Sequence, residues 1–201
     1  MLRWSMRAGG VGLALLLVFP SAGQAYDAAE EFAKGTRIFS FQLGGGGANN
    51  VEGHDHTSRA TFLNLLPRLS LLPLDPMGSG LLRGALDVGL EGWFQHYLAP
   101  QSDEAGGLKG VLRYHFLRFG RLVPYFELTG GAGASSLEVK EIRSTLTFII
   151  EAGAGLSYVV APGVAVTGGY RFQHLSNGNV EPPNRGINSD TGVLGVSFFF
   201  H

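Results

Sequence analysis

The 201-residue sequence contains no cysteine, so its fold cannot rely on disulfide bonds. It also lacks any uninterrupted apolar run of the roughly 20 residues that a membrane-spanning helix requires. Neither sign of charge dominates, because 15 Lys and Arg side chains stand against 16 Asp and Glu. This near balance gives no reason to expect a nucleic-acid partner, and none is predicted.

The first 25 residues have the pattern of a secretory signal peptide. Arg3 and Arg7 precede an apolar stretch at 10–19 that is too short to span a bilayer. Small residues then lead to a cleavage site after Ala25. The sequence therefore predicts an exported protein with a signal peptide at 1–25 and a single β-barrel domain over 26–201.

Glycine is abundant, with 31 residues, and apolar and polar side chains alternate with a period of two. This alternation is typical of β-strands, whose side chains point to opposite faces in turn. Each alternating stretch is long enough for a tilted strand in a bilayer, which needs roughly 9–11 residues in the hydrocarbon. There are eight such stretches: 36–46, 60–72, 81–94, 108–118, 121–134, 144–159, 163–174 and 188–200.

Each stretch has one face without charges and one face on which charges concentrate. In the third, Leu86, Val88 and Leu90 alternate with Asp87 and Glu91. A soluble β-sandwich would turn the charged face to water, whereas a small membrane barrel turns its apolar face to lipid. The charged face has mixed signs that can pair inside an eight-stranded barrel. The predicted interior charges are Arg68, Arg83, Lys109, Arg113 and Arg171, with Asp87, Glu91, Glu127 and Glu151.

The chain ends in an aromatic-rich segment, Phe198–His201, like the final strands of bacterial outer-membrane proteins. We therefore predict an all-β fold, an eight-stranded antiparallel transmembrane β-barrel of the bacterial outer membrane. With both termini in the periplasm, the longer connections face outward, as is usual for this class. These outer connections are predicted at about 45–59, 95–107, 135–143 and 175–187.

The end of the seventh stretch holds the strongest candidates for chemistry. By parity His174 lies on the lipid-facing side, Ser176 follows it if the strand continues, and Asn188 faces outward from the eighth stretch. A serine hydroxyl becomes nucleophilic when a neighbouring imidazole accepts its proton, and a third group must orient that imidazole. Donors for a developing oxyanion are available in the intervening loop: Asn177, Gly178 and Asn184.

These residues also have a plainer interpretation. A histidine at a strand end is often an interfacial residue, and Ser-Asn-Gly is a common turn sequence.

The ligand-type residues His54, Asp55 and His56 occur in a glycine-rich loop, where such residues are more often solvated than metal-bound, so no metal site is predicted. Glycines 44–47 lack the lysine and helix of a phosphate-binding loop.

Two runs in this region, His-x-Ser-Asn at 174–177 and Pro-Asn-x-Gly-Ile at 183–187, resemble the PagL-type lipid A 3-O-deacylase family, also called acyloxyacyl hydrolase-like. The motif is confined to this region, although the predicted barrel fits the family over the whole mature chain. The resemblance implies a serine esterase that hydrolyses the 3-O-linked 3-hydroxyacyl ester of lipid A. His174 and Ser176 match the family's catalytic pair, and no cofactor is implied.

The resemblance breaks at one catalytic position. The family's acidic residue falls directly after Gly-Ile, where this sequence has Asn188. We expect Asn188 to orient His174 through its amide oxygen, with Asp190 and Glu181 as alternatives.

Other functions remain open at this point. The chain could be a non-enzymatic barrel with an adhesion or structural role, or a phospholipase or acyltransferase using the same site. The expected partners are lipid A or lipopolysaccharide and other outer-membrane lipids, and a homodimer is left open. The active site is expected on the extracellular side of the outer membrane.

Overall fold

The structure, a computed structural model, describes residues 28–49, 51, 53 and 57–201. The predicted signal peptide and the loop histidines at 54 and 56 lie outside these residues. Eight strands form one closed antiparallel barrel in chain order, which confirms the predicted fold class. They are β1 (Arg37–Ala48), β2 (Thr61–Leu71), β3 (Gly84–Ala99), β4 (Asp103–Phe116), β5 (Leu122–Ser135), β6 (Leu146–Ala161), β7 (Val164–Ser176) and β8 (Ile187–Phe200).

Two short 3-10 helices, Ala28–Phe32 and Gly80–Leu82, accompany the strands. No helix in the described part of the chain is both long and apolar enough to cross a membrane. We call the end of the barrel that contains Ala28 and His201 the terminal end, and the opposite end the loop end. Successive strands are hydrogen-bonded neighbours, and β1 pairs with β8 to close the barrel.

The outer wall of the barrel is apolar on all sides. Leucine, isoleucine and phenylalanine side chains point outward from the strands, and many of them are more than half exposed. Because so large a continuous apolar surface is unfavourable in water, this wall is suited to contact with hydrocarbon. Representative outward residues are Leu43, Leu63, Leu90, Leu108, Ile150 and Leu194.

The interior contains a buried network of paired charges at mid-height. Arg171 Nη1 lies 2.7 Å from Glu91 Oε1, and its Nε lies 2.9 Å from Glu127 Oε1. Arg68 and Arg113 also donate to Glu127, over 2.9 Å and 2.8 Å. Since buried charges are tolerated when they are paired and hydrogen-bonded, the alternating charges predicted from the sequence fill the barrel as ion pairs.

The same network extends to Lys109, which contacts Glu91 over 3.0 Å and also donates to Glu151. One predicted member is absent from it, because Arg83 is exposed rather than internal. Arg83 follows the Gly80–Leu82 helix and precedes the first residue of β3, so strand parity does not govern its side chain. The prediction for Arg83 was wrong for that reason.

Apolar layers close the barrel on both sides of the charges. At the terminal end, the first 3-10 helix inserts Phe32, whose ring centroid lies 4.7 Å from that of His115 and 5.2 Å from that of Phe199. At the loop end, Phe62 and Trp93 belong to a second buried apolar cluster. The interior is therefore packed with side chains along its height, as expected for an eight-stranded barrel.

The connections at the loop end differ from the prediction in one case. The predicted connection at 95–107 is mostly strand, because Gln95 pairs with Ala105 and Tyr97 with Asp103, leaving a turn at 100–102. The strand β4 thus begins at Asp103, five residues before the predicted start at 108. The other three connections, at 49–60, 136–145 and 177–186, are long, and the last of these joins the two strands that bear the candidate residues.

Candidate active site

His174 and Asn188 lie directly opposite each other on β7 and β8. Both side chains point to the outer wall and are half-buried. The imidazole Nδ1–H donates a hydrogen bond of 2.7 Å to Asn188 Oδ1. An amide oxygen can only accept, so this contact assigns the proton of a neutral imidazole to Nδ1 and leaves Nε2 with a free lone pair. Nε2 is therefore the atom available to act as a base.

Ser176 is the last residue of β7, two positions from His174 on the same outward face. Its partner on β6 is Phe148, and its side chain is half-buried. Among the described residues, no hydrogen bond joins the Ser176 hydroxyl to the imidazole. Hydrogen bonds between catalytic groups often tighten only when substrate is bound, so the shared face and short spacing are the relevant geometry here.

The backbone of Gly186 packs against the imidazole from the loop that joins β7 to β8. Its φ is +71°, a value that favours glycine. A Cβ added at this position would lie 2.6 Å from His174 Cε1 and 3.0 Å from Nε2. Gly186 is thus required both for the backbone conformation and for the space that the His174 ring occupies.

Asn177 is fully buried at the base of the same loop and organises it through hydrogen bonds of its backbone and its side chain. Its N–H donates to Asn184 Oδ1 over 2.9 Å, and its side-chain amide donates to the carbonyls of Glu181, over 2.5 Å, and Pro183, over 3.5 Å. Its Oδ1 accepts from the Asn179 N–H over 2.9 Å. The side-chain donors of Asn177 are therefore occupied within the loop.

The loop begins with a tight turn after Ser176. Gly178 and Asn179 have φ values of +63° and +66°, and the Val180 N–H donates to the Asn177 carbonyl over 3.2 Å. Positive φ at both central residues is the signature of a type I′ turn. Gly178 is exposed at this turn, immediately beside the serine position. The oxyanion roles of Asn177, Gly178 and Asn184 stay predictions, and the geometry favours Gly178 and Asn184 over Asn177.

Glu141, in the connection between β5 and β6, ties three loops together at the loop end. Its carboxylate accepts hydrogen bonds from the Ser58 N–H, over 2.7 Å, and from the Ser58 hydroxyl. Its carbonyl accepts from the Arg185 N–H over 2.7 Å. The neighbouring Ile142 forms an isolated bridge with Asn184. The loop that contains Gly186 is thereby fastened to its neighbours.

The two alternative orienting residues lie elsewhere. Asp190 accepts a hydrogen bond of 2.5 Å from the Tyr170 hydroxyl. Glu181 is exposed in the loop. Of the three candidates, Asn188 is the one whose side chain is hydrogen-bonded to the imidazole.

Sequence reasoning missed several residues that shape this site. Gly186 was visible only as part of a motif, although a glycine directly before a strand can indicate a positive φ. Glu141 gave no signal, because its partners Ser58 and Arg185 lie 83 and 44 positions away in the chain. Tyr170 was visible only as an outward-facing residue of β7.

Comparison with known proteins gives a family match. The model of the family described as lipid A 3-O-deacylase (PagL) matches residues 79–197, more than half of the chain, and this range includes every candidate catalytic residue. A search of curated protein sequences finds no match.

Two solved structures share the fold. The outer-membrane enzyme PagL has 22% sequence identity and a TM-score of 0.57, and the alignment covers 79% of this chain and 97% of that one. Neisserial surface protein A has 16% identity and a TM-score of 0.56, with coverage of 83% and 100%. At such identities the likeness concerns the barrel alone, and one barrel fold can serve proteins of different function.

Proposed function

This chain belongs to the lipid A 3-O-deacylase family of outer-membrane carboxylic ester hydrolases, and from that premise we propose that it hydrolyses the 3-O-linked 3-hydroxyacyl ester of lipid A with Ser176 as the nucleophile. The observation that supports this most is the hydrogen bond between His174 Nδ1 and Asn188 Oδ1, with Ser176 on the same face. A base that is oriented in this way beside a serine is the arrangement used for acyl transfer.

The chemistry follows from the free lone pair on His174 Nε2. The Ser176 hydroxyl attacks the ester carbonyl carbon while Nε2 accepts its proton. The tetrahedral intermediate collapses, the sugar oxygen leaves with the proton from the imidazolium, and the acyl chain stays on Ser176. Water then attacks the acyl-enzyme with the same base, releasing the fatty acid and restoring the hydroxyl. Asn188 keeps the imidazole in the required tautomer throughout.

The intermediate needs donors for its oxyanion. We assign this role to the backbone N–H of Gly178 and the side-chain amide nitrogen of Asn184, because Asn184 Oδ1 already accepts from the Asn177 N–H. Asn177 then acts by holding the loop that presents both donors.

The location of these residues fits a lipid substrate. Ser176 and His174 stand on the outer wall near the loop end, beside the apolar side chains of Phe148 and Ile150, with which they pair on β6. An ester at the head of an acyl chain reaches this height while its chain lies along the wall. With the termini in the periplasm, the site faces the extracellular leaflet of the outer membrane, and this orientation is part of the proposal.

The direct test is mass spectrometry of lipid A from a bacterium that expresses the protein. The wild-type protein should remove one 3-hydroxyacyl chain, and Ser176→Ala should leave lipid A unchanged. Ser189→Ala is the matched control, since Ser189 is a buried serine of the adjacent strand that faces the interior. Equal deacylation by wild type and Ser176→Ala would exclude Ser176 as the nucleophile.

The same experiment separates the alternative functions. Acyl transfer to a second lipid would indicate an acyltransferase, and free fatty acid from glycerophospholipids would indicate a phospholipase. Unaltered lipids with correctly folded wild-type protein would contradict hydrolysis and support a structural or adhesive role, for which a barrel of this kind is also suited.

A further inference from the structure

Asn188 carries no charge, so it cannot stabilise a protonated His174 by a charge–charge interaction. When His174 accepts the serine proton, it becomes a cation beside an apolar wall. An aspartate or glutamate at the orienting position would stabilise that cation by its charge, whereas Asn188 offers only a dipole. A compensating negative charge would therefore have to come from another residue.

Asp190 lies where such a charge is useful. It is two positions after Asn188 in β8, on the same outward face, and its partner on β7 is Phe172. His174 is two positions from Phe172, so Asp190 and His174 are diagonal neighbours on one face of an antiparallel pair. Residues in this relationship are separated by about 7–8 Å. Asp190 is thus close enough to act on the imidazolium without touching it.

The Asp190 carboxylate has a specific hydrogen-bond donor. The Tyr170 hydroxyl donates a hydrogen bond of 2.5 Å to Asp190 Oδ1. A side chain of β7 thus fixes Asp190 on β8, two positions from the residue that orients His174.

The position is also unusual for an acidic residue. A carboxylate on the hydrocarbon-facing side of a barrel is unfavourable, and ionisable groups in such places are commonly functional. The outward residues around it on β7 and β8 include Phe172, Gly192 and Leu194, none of which is charged. Because Asp190 is exposed on the outer wall, its interaction with the imidazolium is that of two charges near a protein surface.

We propose that Asp190 supplies the negative charge that stabilises the His174 imidazolium. Asn188 orients the imidazole and Asp190 compensates its charge, two tasks that a single acidic residue at position 188 would perform together. This inference rests on the proposed esterase function. Asp190 acts through His174 and is therefore a positioning residue rather than a catalytic one.

The test is a double-mutant cycle measured on purified protein with lipid A. Asp190→Asn retains an oxygen that can accept from Tyr170 but removes the charge. It should lower kcat roughly tenfold with little change in KM, as expected for a Coulomb interaction of this length near a protein surface. Asp190→Glu keeps the charge and should retain most of the activity.

The second arm of the cycle uses Asn188→Glu, which places a carboxylate directly beside the imidazole. In that background Asp190→Asn should lower kcat by no more than about twofold, because the nearby charge makes the distant one redundant. A merely structural role for Asp190 would lower kcat by the same factor in both backgrounds, and that result would overturn the inference.

The remaining outcomes are also distinguishable. Full activity of Asp190→Asn, with Ser176→Ala still inactive, would refute the role of Asp190 and leave the esterase intact. An inactive wild-type protein would instead refute the proposed function. Folding is checked by thermal unfolding of each variant, and Asp190→Ser replaces Asp190→Asn in both backgrounds if the latter fails to fold.

Discussion

His174 and Asn188 face each other across β7 and β8, and the imidazole Nδ1 lies 2.7 Å from the Asn188 amide oxygen. Because the two strands hold these positions in register, the backbone of the barrel places the two side chains opposite each other. The orientation of the proposed base is therefore part of the barrel itself.

Replacing Asn188 with alanine should lower kcat about tenfold, since the imidazole loses the hydrogen bond that selects its tautomer. Steady-state kinetics on lipid A would measure this. Thr61→Ala is the control, because Thr61 is an outward, exposed polar residue of β2 near the loop end. Unchanged kinetics for Asn188→Ala would show that another group orients His174.

Gly186→Ala should lower activity at least tenfold without preventing barrel formation. The new methyl group would lie 2.6 Å from His174 Cε1, so the ring or the loop must move. Gly120→Ala is a matched control, because Gly120 has a φ of +61° and an added Cβ there meets nothing within 4 Å. Equal activity of the two variants would show that the loop adapts without cost to His174.

Arg171→Met should destabilise the barrel by about 3–5 kcal/mol, because Glu91 and Glu127 lose a buried partner and remain charged inside the protein. The free energy of unfolding in denaturant would measure this change. Arg83→Met, at an exposed arginine, should change that free energy by about 0.5 kcal/mol or less. Similar losses for the two variants would contradict the role assigned to the buried network.

Glu141→Ala should weaken the contact between Ser58 and the connection at 136–145, which holds 177–186 through the backbone carbonyl of residue 141, and should reduce activity several-fold. The variant removes the carboxylate that binds Ser58, so the loops at this end open more often. Limited proteolysis should cut this region faster than in the wild type. Glu138→Ala, at an exposed glutamate of the same connection, should change neither activity nor the rate of proteolysis. If Glu141→Ala is as resistant to the protease as the wild type, the contact between Glu141 and Ser58 does not hold the loops together.

Much of the fold could be predicted because strand patterns are local. Asp87 and Glu91 alternate with Leu86, Val88 and Leu90, and that alternation is enough to distinguish an interior side from a lipid-facing side. The prediction failed at Arg83 and at 95–107, where it depended on where a strand begins or ends. Strand ends depend on pairing with a neighbouring strand, which local pattern does not reveal.

For the candidate site too, local pattern predicted the face of each residue but not its contacts. Parity placed His174, Ser176 and Asn188 on one face, and the structure agrees. It could not decide between Asn188, Asp190 and Glu181 as the partner of His174, because the choice depends on register across two strands. It also gave no indication that the side chain of Asn177 is occupied within its own loop.

The alternation of side chains was enough to predict which side of the wall each strand residue occupies, since successive side chains must point in opposite directions along an extended chain. The contacts between distant segments could be read only from the folded barrel. Gly186 contacts the imidazole, and the Glu141 carboxylate accepts hydrogen bonds from Ser58. Both contacts form where separate segments meet at the end of a closed barrel. Such contacts depend on how the whole chain closes, and no periodicity within one segment encodes them.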